Sequence, residues 1–223
     1  MIQYYIDNVE YMQHFVYLPA LRILTDQVYT RLHHGQRVEP SHVALIFSVF
    51  ACAGFFWTSH GITATTSLFM TAEAATKRSM EWTKATLDLL EHSRRRTPGS
   101  MEEIQATLIL SFLIYIIEGF SSRARILFSN AIITARDLSL HIIDSPEYAR
   151  RARGPPDSPV ELEIKRRIWW QLVATDGSAP SDRMITDHVL TFSKYAGSLR
   201  WPARGDICDT SEAHESELAT ECP

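Results

Sequence analysis

Nine histidines, three cysteines, 26 acidic and 22 basic side chains are what this 223-residue chain has for chemistry, and their spacing decides what they can do. Cys52, Cys208 and Cys222 form no CxxC or CxxH pair, and any disulfide leaves one thiol over. That pattern points to a reducing compartment and away from a structural zinc site. Cys52 stands inside an apolar run, where burial raises a thiol's pKa and removes its nucleophilic character. His33 and His34 are the adjacent histidine pair, with no carboxylate at ligand spacing, and read as exposed loop residues. No HExxH, P-loop, GxGxxG or GxSxG occurs, and no DDxxD cluster that would hold a metal diphosphate on a helix. No residue takes a catalytic role.

The basic residues raise a different possibility. Arg94–Arg96 and Arg150, Arg151 and Arg153 could touch nucleic acid or act as a nuclear import signal, but solvated helix ends and loops are the plainer reading. KRRIWW, residues 165–170, looks at first like a nucleic-acid contact, with two of the five tryptophans beside three cations. Its aromatics fall mainly on the apolar arc of a helix, not on an open face that could stack with bases. The net charge of −4 supplies no general attraction to a polyanion either.

The elements that must position these residues read as helix after helix. With 45% apolar and 22% charged residues, the composition is that of a soluble globular protein long enough to bury a core. The N-terminus, MIQYYIDNVEYMQHF, has acids where a signal peptide needs positive charge. A first helix is expected from Asp7 to about Leu32, with Tyr11, Phe15, Leu18 and Leu21 at helical spacing and Pro19 breaking or kinking it. HHGQRVEPS (33–41) connects it to a second helix, Ser41 to about Trp57. Val43 to Trp57 is apolar but about five residues short of a bilayer span, so it reads as a buried helix, with membrane association the lesser alternative. A third helix is expected from Thr71 to about Arg94, with Ala75, Ser79, Trp82, Leu89 and Leu90 on one stripe. Pro98 and Gly99 stop it.

SMEEIQATLILSFLIYIIEG (100–119) has the clearest boundaries. Ser100 can cap it, Glu103 can reach back as a capping box, and Gly119 suits the exit. Its apolar residues surround the axis, which places it at the centre of a bundle. In 124–144, Ala131, Ala135, Leu138 and Ile142 share a face. A proline-rich loop (148–159) follows, then SPVELEIKRRIWWQLVATD (158–176), with Ser158 as N-cap, Pro159 at the first turn and Glu161 completing a box. Glu161–Lys165 and Glu163–Arg167 are i,i+4 pairs. Leu162, Ile164, Ile168, Trp169, Leu172 and Val173 fill one arc. Trp170 falls outside it, between Arg166 and Arg167, and Asp176 falls inside, where burial would demand a polar partner. After Asp176 the chain turns polar and acidic, with one short helix expected near Ile185 to Tyr195 in what resembles a disordered tail. The fold class expected is all-α, an irregular bundle of about six to eight antiparallel helices.

Three ordered stretches, SMEEIQATLILSFLIY, FSNAIITARDLSLHIID and ELEIKRRIWWQLVATD, resemble the middle homology region of fungal zinc-cluster transcription regulators. Glu103, Gln105, Ala131, Ala135, Asp137, Leu138, Leu140, His141, Glu163, Arg166, Arg167, Trp169, Trp170 and Asp176 carry the likeness, and Tyr11 to Pro19 is similar to the family's first helix. The resemblance covers roughly residues 7–176. It implies a nuclear regulator of transcription acting through protein contacts or a small-molecule effector, with self-association possible and no role at a membrane. Two departures follow. Three cysteines cannot build the family's six-cysteine zinc cluster, so neither zinc nor direct DNA reading carries over, and no cofactor is expected. Past Asp176 the family's pattern is lost, so residues 1–176 are expected to be a partial regulatory domain and 177–223 a divergent tail. An isolated chain of this kind is expected to be marginally stable or to pair with another. Two alternatives stay open: a helical enzyme or ligand binder of a biosynthetic pathway, with a pocket among Trp57, Trp82, Trp169 and Trp170, and a non-functional truncated regulator product.

Overall fold

The computed structural model describes residues 1–59, 69, 71–119, 121–151 and 157–176, all within one compact unit, Met1–Ala179. Among them are eight α-helices and two 3-10 turns, with no strand. The all-α expectation holds. The short helix near 185–195 and the acidic tail lie outside the described residues.

The N-terminal region departs from the single helix expected. Helix α1 is Ile2–Asn8, a 3-10 turn follows at Glu10–Met12, and α2 runs Leu18–His33. Pro19 starts α2 in its first turn instead of kinking a longer helix, where a missing N–H leaves no hydrogen bond unmade. The break between α1 and α2 is held by tertiary contacts. Tyr5 Oη donates to Gln13 Oε1 at 2.6 Å, and Phe15 and Val16 turn into the core. His33 ends α2 and His34 caps it through Nδ1 and the Thr30 carbonyl, so the pair belongs to a helix end and not to a free loop.

The next three helices form the packed centre. Helix α3 is Pro40–Ser59, α4 is Ala72–Arg94 and α5 is Met101–Glu118. The window Pro40–Trp57 of α3 is long and apolar enough to cross a bilayer, and 67% of it is buried in the bundle. Small residues let α3 and α4 approach: a Cβ added at Gly54 would already touch Ser79 and Trp82 at 3.4 Å, and Ser79 Oγ donates to the Ala51 carbonyl at 2.7 Å. Helix α5 is buried almost continuously from Glu103 to Ser111, and again at Leu113 and Ile114. Its last turn is different, since Ile116 and Ile117 are 41% and 53% exposed. Gly119 closes the helix at φ 71°, in the left-handed region that suits glycine.

Of the last helices, α6 (Ser122–Asp137) and α8 (Pro159–Asp176) pack on α5 and on each other, and α7 (Pro146–Arg151) packs on the turn at residues 140–142. Helix α6 buries Ala124, Leu127, Ala131 and Ala135 and stops at Leu138. Ser139 then takes a left-handed conformation, and Leu140 enters the core from a 3-10 turn at Leu140–Ile142. On α8 the buried residues are Ile168 and Leu172; Trp169 is half-buried, Trp170 is 58% exposed, and Val173, expected in the apolar arc, is 39% exposed.

Candidate functional site

The motif residues do not converge on one pocket. They divide into two sets of ties, each joining an irregular segment to a helix. The first set is on α5. Ser100 Oγ accepts from the Glu103 backbone N–H at 3.2 Å, as a cap should. The reciprocal half of that capping box is absent. The Glu103 carboxylate turns instead toward α4, where Ser93 Oγ donates to it at 3.3 Å and Arg94 Nε lies 3.6 Å away. Glu103 is 2% exposed. Burial pushes its carboxyl above the ordinary value, against the pull of Arg94 and the Ser93 hydroxyl. Gln105, two residues on, donates through Nε2 to the Phe15 carbonyl at 2.8 Å. A side chain on α5 thus fixes the backbone between α1 and α2, ninety positions earlier.

The second set is on α8. Its N-terminal box is complete: the Ser158 N–H donates to Glu161 Oε2 at 2.7 Å and the Glu161 N–H to Ser158 Oγ at 3.2 Å. Lys165 does not bridge to Glu161 as expected, because Glu161 serves the cap. It ties instead to Asp157 and donates to Tyr148 Oη at 3.2 Å. Arg166 holds Asp144 through Nε and Nη2, at 2.9 and 2.7 Å, and Glu163 through Nη1 at 2.8 Å. Arg167 bonds Glu163 at 2.9 Å, the expected i,i+4 pair. His141 faces Trp169 with ring centroids 6.1 Å apart. These contacts strap His141, Asp144, Tyr148 and Asp157 onto α8. Leu138 is half-buried against the core, Asp137 is exposed at the end of α6, and Asp176 is the last residue of α8.

Sequence reasoning missed Tyr148, Asp157, Asp144 and Arg94 as partners. Tyr148 and Asp157 carried no motif signal.

The space around Glu103 is closed. The cleft among Arg94, Glu103, Ile104, Thr107, Asn130, Ala131 and Thr134 has no room for a water molecule. A perturbed carboxyl therefore sits here without a substrate cavity beside it. The four tryptophans weighed as a pocket do not meet: Trp57 and Trp82 both contact Phe69, at 5.9 and 6.2 Å, whereas Trp169 packs by His141. A shallow groove of about 330 Å³ runs along α2 at Ile23, Asp26, Gln27, Thr30 and Arg31. Among the described residues no three His, Cys, Asp or Glu side chains gather as metal ligands. Cys52 is fully buried in α3 and its thiol is pushed well up by that burial, so it does not fit the role of a zinc-cluster ligand.

Buried helix α5, the turn after α6 and the charged α8 stand in the order of the regulatory region that the three sequence stretches resemble. Residues 2–178 match the fungal specific transcription factor domain, and the chain belongs to that family. Among curated proteins it is 44% identical over 177 residues to the probable transcription factor lepB of Aspergillus flavus, covering 79% of this chain and 31% of that protein. It is 32% identical over 225 residues to the transcription factor TAS2 of Pyricularia oryzae, covering all of this chain and 28% of that protein. With the agnestins biosynthesis cluster transcription factor AgnL11 of Paecilomyces divaricatus it shares 31% over 176 residues, 79% of this chain and 25% of that protein. The chain thus spans about a quarter to a third of the length of these relatives. No solved structure matches it.

Proposed function

We propose that residues 1–176 are the regulatory module of a nuclear transcription regulator that works through protein contacts, with neither catalysis nor direct base reading, in the control of a biosynthetic gene cluster. Membership of the fungal transcription factor family supports the regulatory part, and the similarity to AgnL11, an agnestins biosynthesis cluster transcription factor, supports the link to a cluster. The observation that carries the non-enzymatic part is the fate of the polar motif residues. Glu103, Gln105 and Arg166 are bonded to a helix end and connectors of the same domain, and Glu163 and Arg167 to side chains of α8 itself. Groups so engaged hold a shape, and what the module offers a partner is its exposed apolar side chains, among them Ile116, Ile117 and Trp170. The module needs no metal or cofactor for this.

The test joins the full chain to a heterologous DNA-binding domain and measures a reporter in a fungal cell, with a fluorescent fusion to follow location. A change in reporter output of several-fold with nuclear fluorescence is expected. A fusion that reaches the nucleus and leaves the reporter at its basal level overturns the proposal.

A further inference from the structure

The arginine triplet at the end of α4 has no part in the ties described so far except through Arg94. The sequence there is RRRTP, residues 94–98, and it places a hydroxyl between three guanidinium groups and a proline. We propose that Thr97 is a phosphorylation site for a proline-directed protein kinase, and that the phosphate loosens the α4–α5 junction.

The choice of Thr97 comes from a comparison inside the chain. Three hydroxyl residues precede a proline: Thr97, Ser145 and Ser158. Ser145 lies between Asp144 and Glu147, and its Oγ accepts from the Glu147 backbone N–H at 3.0 Å. Ser158 lies between Asp157 and Glu161, and its Oγ is taken by the capping box. A dianion at either serine meets carboxylates one to three residues away and is repelled. At Thr97 the sequence neighbours are cations, and the one carboxylate bonded to its partner Ser93, that of Glu103, lies beyond the Ser93 hydroxyl, 3.1 Å from Thr97 Oγ1. Arg95, 75% exposed in its side chain, pairs with Glu91 at 2.8 Å, and exposed Arg96 bonds His92 at 3.2 Å; a phosphate can draw both from these solvent-exposed partners. Pro98 is exposed and Thr97 half-exposed in the turn. To reach a kinase, the Thr97 hydroxyl has to leave the Ser93 carbonyl, to which it donates at 3.0 Å. That is one exposed turn opening at a helix end.

In the transfer, Thr97 Oγ1 bonds to the γ-phosphorus of ATP while the bond from that phosphorus to the β,γ-bridging oxygen breaks. ADP leaves with the electron pair, and the hydroxyl proton passes to the kinase's base. The phosphate can no longer donate to the Ser93 carbonyl. It sits at the C-terminal end of α4, where the helix carbonyls disfavour negative charge. It also competes for Arg94, the cation beside buried Glu103. Just beyond the turn, Gly99 at φ 89° lies so close to α6 that a Cβ there would come within 2.6 Å of Thr134, so an opening at Thr97 bears on the α4–α5 junction.

The experiment treats the full 223-residue chain with ATP and a purified proline-directed kinase, maps phosphate by mass spectrometry, and melts the product before and after phosphatase. Phosphate on Thr97, retained in Thr97→Ser and lost in Thr97→Ala, is expected. The phosphorylated chain is expected to melt roughly 5 °C lower, with recovery after phosphatase. Phosphate placed on Ser145 or Ser158 in preference to Thr97, or none at all, overturns the site. An unchanged or raised melting temperature with Thr97 phosphorylated overturns the switch.

Discussion

The α3–α4–α5 centre and the α6–α8 side of the domain are held by different forces. In the centre, α3 and α4 come close enough for a side-chain hydroxyl to reach a backbone carbonyl, and Ile104, Ile109, Leu110 and Leu113 of α5 are fully buried. On the other side, Ile168 and Leu172 of α8 are buried with Ile164 and Trp169 packed against the core, and Asp144, Tyr148 and Asp157 are tied to Lys165 and Arg166. Burial fixes the first region, and in the second, charge-assisted hydrogen bonds near water add to the burial of α6 and of Ile168 and Leu172. The first should respond to lost volume, and the second to salt and pH.

The largest effect should come from emptying the centre. Ile109→Ala removes a side chain with no exposure, and such truncations cost about 3 kcal/mol or more. Against a typical domain stability of about 5–15 kcal/mol, the variant should unfold at much lower denaturant concentration, as measured by circular dichroism in urea. If Arg166→Ala shifts the midpoint as far as Ile109→Ala, the division between the two regions is wrong.

The next effect separates the regions by the sign of their pH dependence. Burial lifts the Glu103 carboxyl above its ordinary value of 4.5, so the folded chain holds that proton more tightly than the unfolded one. Its contribution is fully present below pH 4.5 and is lost as pH rises through the folded value. Asp157 goes the other way. Burial alone would raise its carboxyl, but hydrogen bonds from Lys165 and Tyr148 outweigh that and hold it below 3.8. Its contribution is present above 3.8 and is lost as pH falls through the folded value. Glu103→Gln should therefore flatten the decline in stability above pH 4.5, and Asp157→Asn the decline at the acid end. Melting curves across pH 3 to 8 check both, and matching profiles for the two variants would refute the assignment.

A third effect, about 1 kcal/mol, is expected from Ser158→Ala, which removes one half of a complete capping box. Ser100→Ala supplies the comparison, since its box is only half made. Both are read from thermal melts.

These caps also show where the sequence was legible. Ser100, Gly119, Ser158 and Pro159 mark helix ends through bonds spanning three or four residues, and a local pattern contains all of that information. Glu103 looked like the second half of a cap, and the reason it is not lies on α4, where Ser93 and Arg94 compete for the carboxylate. The break at residues 9–17 was hidden for the same kind of reason. Its helical spacing was sound, but Gln105, far along the chain, takes the Phe15 carbonyl, and Gln13 is buried against Tyr5. Lys165 was assigned to Glu161 by spacing and goes to Asp157, because the cap had already claimed Glu161. In each case the helices were readable, and the partner of a polar side chain was settled by a segment distant in sequence or by a cap.

The smallest effect is expected at Asp144, and it tests the surface side most directly. Arg166 donates to one Asp144 oxygen from both Nε and Nη2, and that hydrogen bonding lowers the carboxyl below its ordinary 3.8. The Asp144 side chain is nevertheless 60% exposed, and exposed pairs are worth about 0.2–1 kcal/mol. Asp144→Asn should lower the melting temperature by only a degree or two at low salt. The difference from the unaltered chain should shrink further at about 1 M salt, where screening acts over roughly 3 Å. It should also vanish at acid pH once Asp144 is protonated in both states. A loss that persists at high salt would mean that the strap from residue 144 to α8 is held by packing of His141 on Trp169, and the two sides of the domain would then be built on one principle.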